Sequence, residues 1–583
     1  MPSRTRERLL QLGALGAGGA GIALSLGIAT GGPALEQRWR LLVLIGAWWA
    51  IFAVGAACVL GMRDRRRALL VVVVVAAGLR VAALADIPVL SDDVYRYAWD
   101  GRVQAAGVNP YRYPPTATEL ADLRDPWLWP DPAGCTALYR PPGCTLINRP
   151  DERTIYPPLA QAWFRAANLL LPDDAQERAW QALALAVDLG LVATLALALS
   201  RLGADPRAVV LYAWSPIAVL ESAQSAHIDA LAVLATVAAL WASRRHRNAL
   251  SGVLLGLATL VKLYPAALLP VLLGRGRRQG DRRRPLVTLA AFAATLALGY
   301  ARHLVAVGVD VVGFLPGYLA EEGYAEGSRF LLLGLVGLSG TPAQVVAGLG
   351  LVIAAAVAWR SRAQPEVAAT RLFGTALLLA TPVQPWYALL VAALATVGRR
   401  WWWIAVAVAG YPVYLAALLD GPIPLIGRLS YGLAALVVVV GELWSRYRPL
   451  QRSGSGGSGE PPPPGDGEAA RDQAGLGGEH GEVVGADPGP GEPRSHTFSD
   501  GTLDADREAL AGRARGLDLD HGLTVGAQEA PDPPEQVEGI PADADVAVEQ
   551  DGRAPPALPG EVVEDRAVQD GSAPAPRLGD GHR

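Results

Sequence analysis

The sequence predicts an all-α polytopic membrane protein, and three observations carry that reading. Residues 1–450 contain repeated apolar runs of about 18–22 residues, the length a bilayer-spanning helix needs. Clusters of arginine punctuate those runs where alternating crossings would return the chain to one side. Charge also divides the 583 residues in two: residues 451–583 hold 27 Asp and Glu against 10 Arg and no Lys, a net of −17, whereas residues 1–450 carry a net of +13. The mean hydropathy of +0.26 thus averages a membrane core and an acidic tail, and a single soluble globule is excluded.

Taken in order, Arg4, Arg6 and Arg8 place the N-terminus in the cytoplasm. A basic start before an apolar run is also how a signal peptide begins. However, a second run starts near Leu41 and Leu24–Gly32 offers no strong cleavage site, so the first run is read as a retained helix. Spans near 9–31 and 40–61 form an N-terminal pair within residues 1–65, with Cys58 as a packed core residue. Arg63, Arg65, Arg66 and Arg67 are then inside, and a third span, 68–87, runs outward. Arg80 in its outer half is read as snorkelling to the surface.

The loop that follows, 88–175, is rich in Pro, Trp and Tyr and too long for a mere connector. It is placed outside, with parts lying on the membrane surface. Cys135 and Cys144 flank a Pro-containing part of it, and an external location leaves a disulfide open. A span at 177–200 returns to Arg201 and Arg207, and a tight two-helix hairpin over 208–242 carries Glu221, His227 and Asp229 at its outer tip.

Two later segments, 249–274 and 372–398, have basic clusters at both ends but too few residues for two crossings. Each reads as a pair of half-helices, broken at Val261-Lys262-Leu263-Tyr264-Pro265 and at Thr381-Pro382-Val383-Gln384-Pro385-Trp386-Tyr387. Non-helical backbone at membrane depth is tolerated where it lines a cavity or is buried in protein. Spans near 286–305, 342–359, 401–419 and 430–446 complete 12 to 14 segments and a catalytic membrane domain over residues 66–450. The tail, 451–583, is Gly- and Pro-rich, acidic and poor in apolar residues, so it is expected to be disordered and cytoplasmic. No motif names its partner.

The candidate chemistry starts at Leu90–Tyr113, just past the third span. Asp92 and Asp93 are adjacent there, followed by Tyr95, Arg96 and Asp100. The bland readings are a solvated helix cap for the acid pair, a local ion pair for Arg96, a loop hydrogen bond for His227, and interface anchors for Trp386 and Tyr387. For Lys262 the bland reading is snorkelling, and it is harder to sustain. Lys262 is the only lysine in the chain and it interrupts an apolar run, and an ionisable group within a membrane segment is a functional hypothesis by default.

These residues resemble the GT-C class of membrane glycosyltransferases. SDDVYRYAWDGRVQAAGVNPYRYPP (91–115) is similar to the first-outer-loop motif of bacterial polyprenol-phosphomannose-dependent mannosyltransferases, and the likeness continues in IYPPL (155–159), SAQSAHID (222–229), VKLYP (261–265) and QPWY (384–387). It covers residues 65–445 and leaves out the tail. The resemblance implies a GT-C-like bundle with a long catalytic first outer loop. It also implies inverting transfer of a hexose, above all mannose, from a polyprenyl-phosphate sugar to an external glycan or glycolipid.

On that resemblance Asp92 matches the general base, and Asp93 departs from the spaced Asp-x-Asp form. Lys262, Arg96, His227, Asp229 and Tyr264 are expected at the donor phosphate, and Tyr95, Asp100, Gln384, Trp386 and Tyr387 at the sugars. No metal or cofactor is required, because cations can meet the leaving phosphate. The expected partners are the lipid-linked donor, the acceptor and the membrane, not nucleic acid. The expected location is a plasma (inner) membrane, with the site facing outside and both termini in the cytoplasm. A transporter or lipid-linked-sugar flippase is the alternative, since broken helices also surround midplane transport sites; a non-catalytic assembly subunit is a third. Deletion of residues 451–583 is expected to leave membrane insertion and sugar transfer intact. Complete loss of activity on deletion would make the tail an assembly element.

Overall fold

A computed structural model describes residues 3–454, apart from 33–37, 139, 279 and 418–421. The chain divides into Met1–Gly465 and Asp466–Arg583. The second unit, and with it nearly all of the tail expected to be disordered, lies outside the described residues; the first residues of the tail, 451–454, continue the last helix. The described residues are helical and contain no strand. Among the described residues six helices are long and apolar enough to cross a membrane, and three further apolar helices are shorter. The protein is thus an all-α polytopic membrane protein; its described residues hold six full-length and three shorter apolar helices, fewer than the 12–14 segments expected.

α1 (Ser3–Ala29) and α2 (Arg38–Gly61) pack as an antiparallel pair, and small residues on α1 admit close neighbours: Cys58 lies against Gly13, as a packed residue should. α3 (Arg65–Ala83) starts at Asp64, whose carboxylate caps the amides of Arg66 and Arg67 at 3.1 Å each.

Within α3 the structure corrects the reading of Arg80. It does not snorkel: it is fully buried and pairs with Asp188 of α7 (Glu177–Arg201) at 2.6 Å. It also donates to the Ala76 and Ala213 carbonyls at 3.1 and 2.7 Å, while Tyr212 donates to Asp188 at 2.7 Å. The reason is that a charge at this depth is stable only with its donors satisfied, and α7 supplies the counter-charge.

Between α3 and α7 the loop folds into α4 (Asp93–Ala105), α5 (Pro132–Ala137) and α6 (Pro158–Leu170). Cys135 and Cys144 are joined by a disulfide, Cα to Cα 5.8 Å. A small core of its own sits beneath these helices, with Tyr97 stacked on Phe164 at 4.5 Å between ring centres. Where α4 crosses α6, Gly101 is required: a Cβ there would stand 2.5 Å from the Phe164 carbonyl oxygen.

The expected two-helix hairpin over 208–242 is also corrected. Its first arm is only α8 (Val210–Ala213), followed by a π-helical turn at Ala218–Gln224, and its second arm is α9 (Asp229–Arg244). Pro216 cannot continue an α-helix, and the wider π turn carries Glu221 and Gln224 inward.

The expected breaks are present. α10 (Asn248–Val261) stops at Lys262, which is extended, before a 3-10 turn and α11 (Leu269–Arg278). α12 (Arg283–Val307) leads to α13 (Leu315–Glu321), and α14 (Gly340–Arg360) follows. α15 (Pro365–Ala380) and α16 (Ala388–Val397) are separated by Thr381–Gln384 and a 3-10 turn at Pro385–Tyr387. α17 (Ala405–Ala417) and α18 (Ile423–Gly454) pack together at the end.

The buried Arg80–Asp188 pair makes a testable claim. Asp188→Leu strands the Arg80 charge and is expected to destabilise the protein by about 3–5 kcal/mol. Adding Arg80→Met should recover most of that loss. Denaturant unfolding in detergent measures both, and an Asp188→Leu single variant as stable as wild type would contradict the pairing.

Candidate active site

The chain between α3 and α4 is held from several sides. Gln224 of the π turn accepts from the Val89 amide at 3.1 Å and donates to the Ile87 carbonyl at 2.8 Å. Tyr414 of α17 donates to the Leu90 carbonyl. These clamps start α4 with Asp92 at its cap position and Asp93 at its first residue. A helix N-terminus favours negative charge, which explains how two adjacent carboxylates are tolerated.

The two carboxylates differ sharply in surroundings. Asp93 accepts from Asn148 at 2.7 Å, Tyr156 at 2.9 Å and Tyr97 at 3.3 Å, and its Oδ2 lies 3.8 Å from His227 Nε2. Among the described residues the Asp92 side chain accepts from Asn148 alone, at 3.0 Å, and it opens to solvent at the cavity mouth although protein crowds it on most sides. Burial and the Asp93 charge push the Asp92 carboxyl above the usual carboxylate range. Burial acts the same way on Asp93, but His227, Lys262 and the hydrogen bonds from Tyr156 and Asn148 outweigh it and hold Asp93 below that range.

Two cavities meet here. A polar chamber of about 320 Å³ is lined by Asp92, Asp93, Arg96, Asn148, Arg149, Arg153 and Trp386, among others. A largely apolar groove of about 470 Å³ is walled by residues such as Leu315, Leu319, Phe373 and Leu377. Ile155, Tyr156, Lys262, Tyr318, Gln384 and Tyr387 line both. Lys262 stands at that junction: its Nζ lies 3.1 Å from Asp229 Oδ2 and 5.0 Å from the centre of the Tyr156 ring. Across the junction Gln384 donates to Glu322, which also pairs with Arg329 at 3.3 Å, and Gln384 Oε1 is buried with no protein partner. Tyr318 and Tyr387 share a hydroxyl contact of 2.9 Å.

The residues singled out from the sequence fall into three groups. Asp92, Asp93, Arg96, Lys262, Gln384, Trp386 and Tyr387 line the polar chamber. Tyr264 lines the apolar groove and donates to Asp229 at 3.0 Å.

His227 and Asp229 are buried behind this wall, not at its surface. The His227 ring lies between Ser91 Oγ at 3.0 Å and Glu221 Oε2 at 3.3 Å, and it packs at a tilt of 34° against Trp386, 4.3 Å between ring centres. Asp229 anchors Lys262. Tyr95, packed on Trp127, and Asp100 line neither cavity. Asp100 instead accepts from Arg96, Thr154 and Gln161 at 3.0, 2.6 and 2.7 Å. Arg96 also donates to the Arg149 and Glu152 carbonyls, so the Arg96–Asp100 pair holds the 149–154 segment of the loop in place.

Sequence reasoning missed Asn148, Arg149, Arg153, Tyr318, Glu322 and Tyr414. Tyr156 lay within the IYPPL stretch, but its bond to Asp93 had no local signal. Backbone strain offers another marker: among the described residues, Arg149, Ala226 and Thr381 hold φ of 44°, 56° and 40° and border this site. For a β-branched residue such as Thr381 that conformation is costly and needs support. The Thr381 hydroxyl provides it, donating to the Arg329 carbonyl and accepting from the Leu331 amide at 3.0 Å. No group of three or more His, Cys, Asp or Glu placed to hold a metal ion occurs among the described residues.

The α4–α6 crossing sets where the acid pair stands. Gly101→Ala is expected to push α4 off α6 at a cost of about 1–3 kcal/mol and to expose the 149–154 segment to protease. Wild-type stability and protease resistance in that variant would show that the crossing does not position the site.

Comparison with known proteins agrees with this geometry at a coarser level. No curated protein and no solved structure matches the chain. Residues 154–382, from Thr154 beside the chamber to Pro382 at the second break, match the family model of Glycosyltransferase family 87, and that match supports a membrane-embedded glycosyltransferase.

Proposed function

We propose that this protein is an inverting glycosyltransferase that moves a hexose from polyprenyl phosphate to a glycan or glycolipid acceptor outside the plasma membrane, with Asp92 as general base. The observation that carries this is the junction at Lys262, where a polar chamber holding two carboxylates meets an apolar groove. A sugar linked through one phosphate to a long apolar chain has that same order of parts. The chain suits the groove, the phosphate suits Lys262, and the sugar suits the chamber near Trp386 and Gln384. Mannose is the sugar that the first-loop resemblance favours. The arginine clusters at 63–67, 244–247, 275–284 and 399–400 favour a cytoplasmic location for the opposite face and for both termini.

The reaction is a single displacement. The acceptor oxygen attacks the anomeric carbon while Asp92 takes its proton. The bond from that carbon to the phosphate oxygen breaks, and its electron pair leaves with the lipid phosphate. Lys262 faces the charge that develops there. One displacement inverts the configuration. Asp93, held low by its neighbours, keeps Asn148 and Tyr156 in place and raises the affinity of Asp92 for the proton. His227 and Asp229 act through Asp93 and Lys262 without touching substrate.

Asp92→Asn is expected to cut transfer about 10²–10⁴-fold with the protein still inserted in the membrane; transfer at the wild-type rate would remove Asp92 as the base. The pH profile gives a second check. The base must be deprotonated, so kcat/KM falls as pH drops through the raised Asp92 value. Asp93→Asn removes the charge that helps to raise it, so the acid limb of the residual activity should move to lower pH. A limb that stays in place or moves up would contradict the assignment.

A further inference from the structure

A second groove, on the other side of α6, shares no lining residue with the two joined cavities. It lies between α6, α10 and α12 and has a volume of about 750 Å³. Its walls are apolar, from Leu159, Leu169, Val253, Leu257, Leu260 and Leu298. Leu169 and Leu298 are 66% and 78% exposed, so the groove opens onto a surface that suits lipid tails rather than water.

Its polar end carries one sign of charge. Arg165, Arg302 and His303 line it, and no Asp or Glu does. Neither arginine has a carboxylate partner among the described residues; Arg302 gives only its Nε, to His303 at 3.1 Å. Along α12, Arg302 stands about 28 Å from Arg283, close to the hydrocarbon thickness of a bilayer. Arg283 belongs to the basic cluster at the opposite end of that helix, so Arg302 sits where a headgroup would.

A third feature asks for a donor. Gln104 lines the groove and is 4% exposed. Its Nε2 faces the Asp100 carbonyl, the Gln161 carbonyl and Gln161 Oε1 at 3.1, 2.8 and 2.8 Å. Three acceptors around one atom fix it as the NH₂ and turn Oε1 to the other side, where it is buried without a partner. An unpaired buried acceptor is costly, and a ligand hydroxyl would satisfy it.

We infer that this groove binds an anionic glycerophospholipid. The phosphate lies against Arg165 and Arg302, a headgroup hydroxyl donates to Gln104, and the acyl chains follow the leucine walls. The inference does not rest on the transferase reading, since it uses none of that site's residues.

Native mass spectrometry of the full chain in detergent tests it, with phosphatidylglycerol and phosphatidylcholine offered in equal amounts. The wild type should retain phosphatidylglycerol at least ~10-fold over phosphatidylcholine, as two charge-assisted contacts allow. Arg165→Gln with Arg302→Gln should abolish that preference. Ala162→Trp, which fills the groove and leaves both arginines in place, should lower retention of both lipids and supplies the comparison if the double variant does not fold. Equal retention of the two lipids by the wild type would overturn the inference. So would undiminished preference in the double variant, unchanged retention in Ala162→Trp, or displacement of the lipid by millimolar inorganic phosphate.

Discussion

The ion pair between Lys262 and Asp229 is the interaction on which the rest of the site depends. Lys262 is 11% exposed in its side chain and Asp229 is fully buried. A lone ammonium or carboxylate at that depth would be far too costly to keep charged. Here each has the other as its counter-charge beside an apolar groove, and Tyr264 donates to the other oxygen of Asp229. The pair also accounts for the shape of the chain there: α10 ends where Lys262 becomes extended, and that turn aims the ammonium at α9 and at the junction of the two cavities. A cation is thereby held at the boundary between an apolar groove and a polar chamber, the place the proposal gives to the lipid phosphate.

A second asymmetry follows from the first. Lys262 and His227 both sit on the Asp93 side of the acid pair. One carboxylate therefore remains an anchored anion and the other is left more basic, open to solvent and short of hydrogen bonds. Adjacent residues of identical chemistry acquire different roles from their neighbours alone. The neighbours come from separate parts of the bundle: Asn148 and Tyr156 from the loop between α3 and α7, His227 from the turn after the π segment, and Lys262 from the break after α10.

Much of this was legible in the sequence, and the reasons are physical. A lysine or a Pro-Trp-Tyr run interrupting apolar residues shows where a membrane helix must break, so the junction at Lys262 and the turn at Gln384–Tyr387 could be read locally. The polar stretch from Asp92 to Asp100 stood out beside a membrane helix for the same reason. Pairing across long sequence separations could not be read. Arg80 looked like a snorkelling cation because Asp188 lies 108 residues away, and Asn148 joins the acid pair from 56 residues on. Asp100 and Arg96 were expected at the substrate on the resemblance; in the fold they form the local ion pair that their spacing also allows, and they hold a loop. The 208–242 hairpin reads as two plain helices because its apolar residues give no sign that the backbone widens to a π turn at Ala218–Gln224.

The central claim is that a lipid-linked sugar lies across the Lys262 junction and is attacked once, with Asp92 taking the proton. Incubation of the purified full chain with polyprenyl-phosphate mannose or a nucleotide-linked mannose, followed by determination of the anomeric configuration of the product, tests it most directly. The account predicts transfer from the lipid-linked donor alone, with inversion. Transfer from the nucleotide-linked donor with the lipid donor inert, or a product of retained configuration, would contradict it.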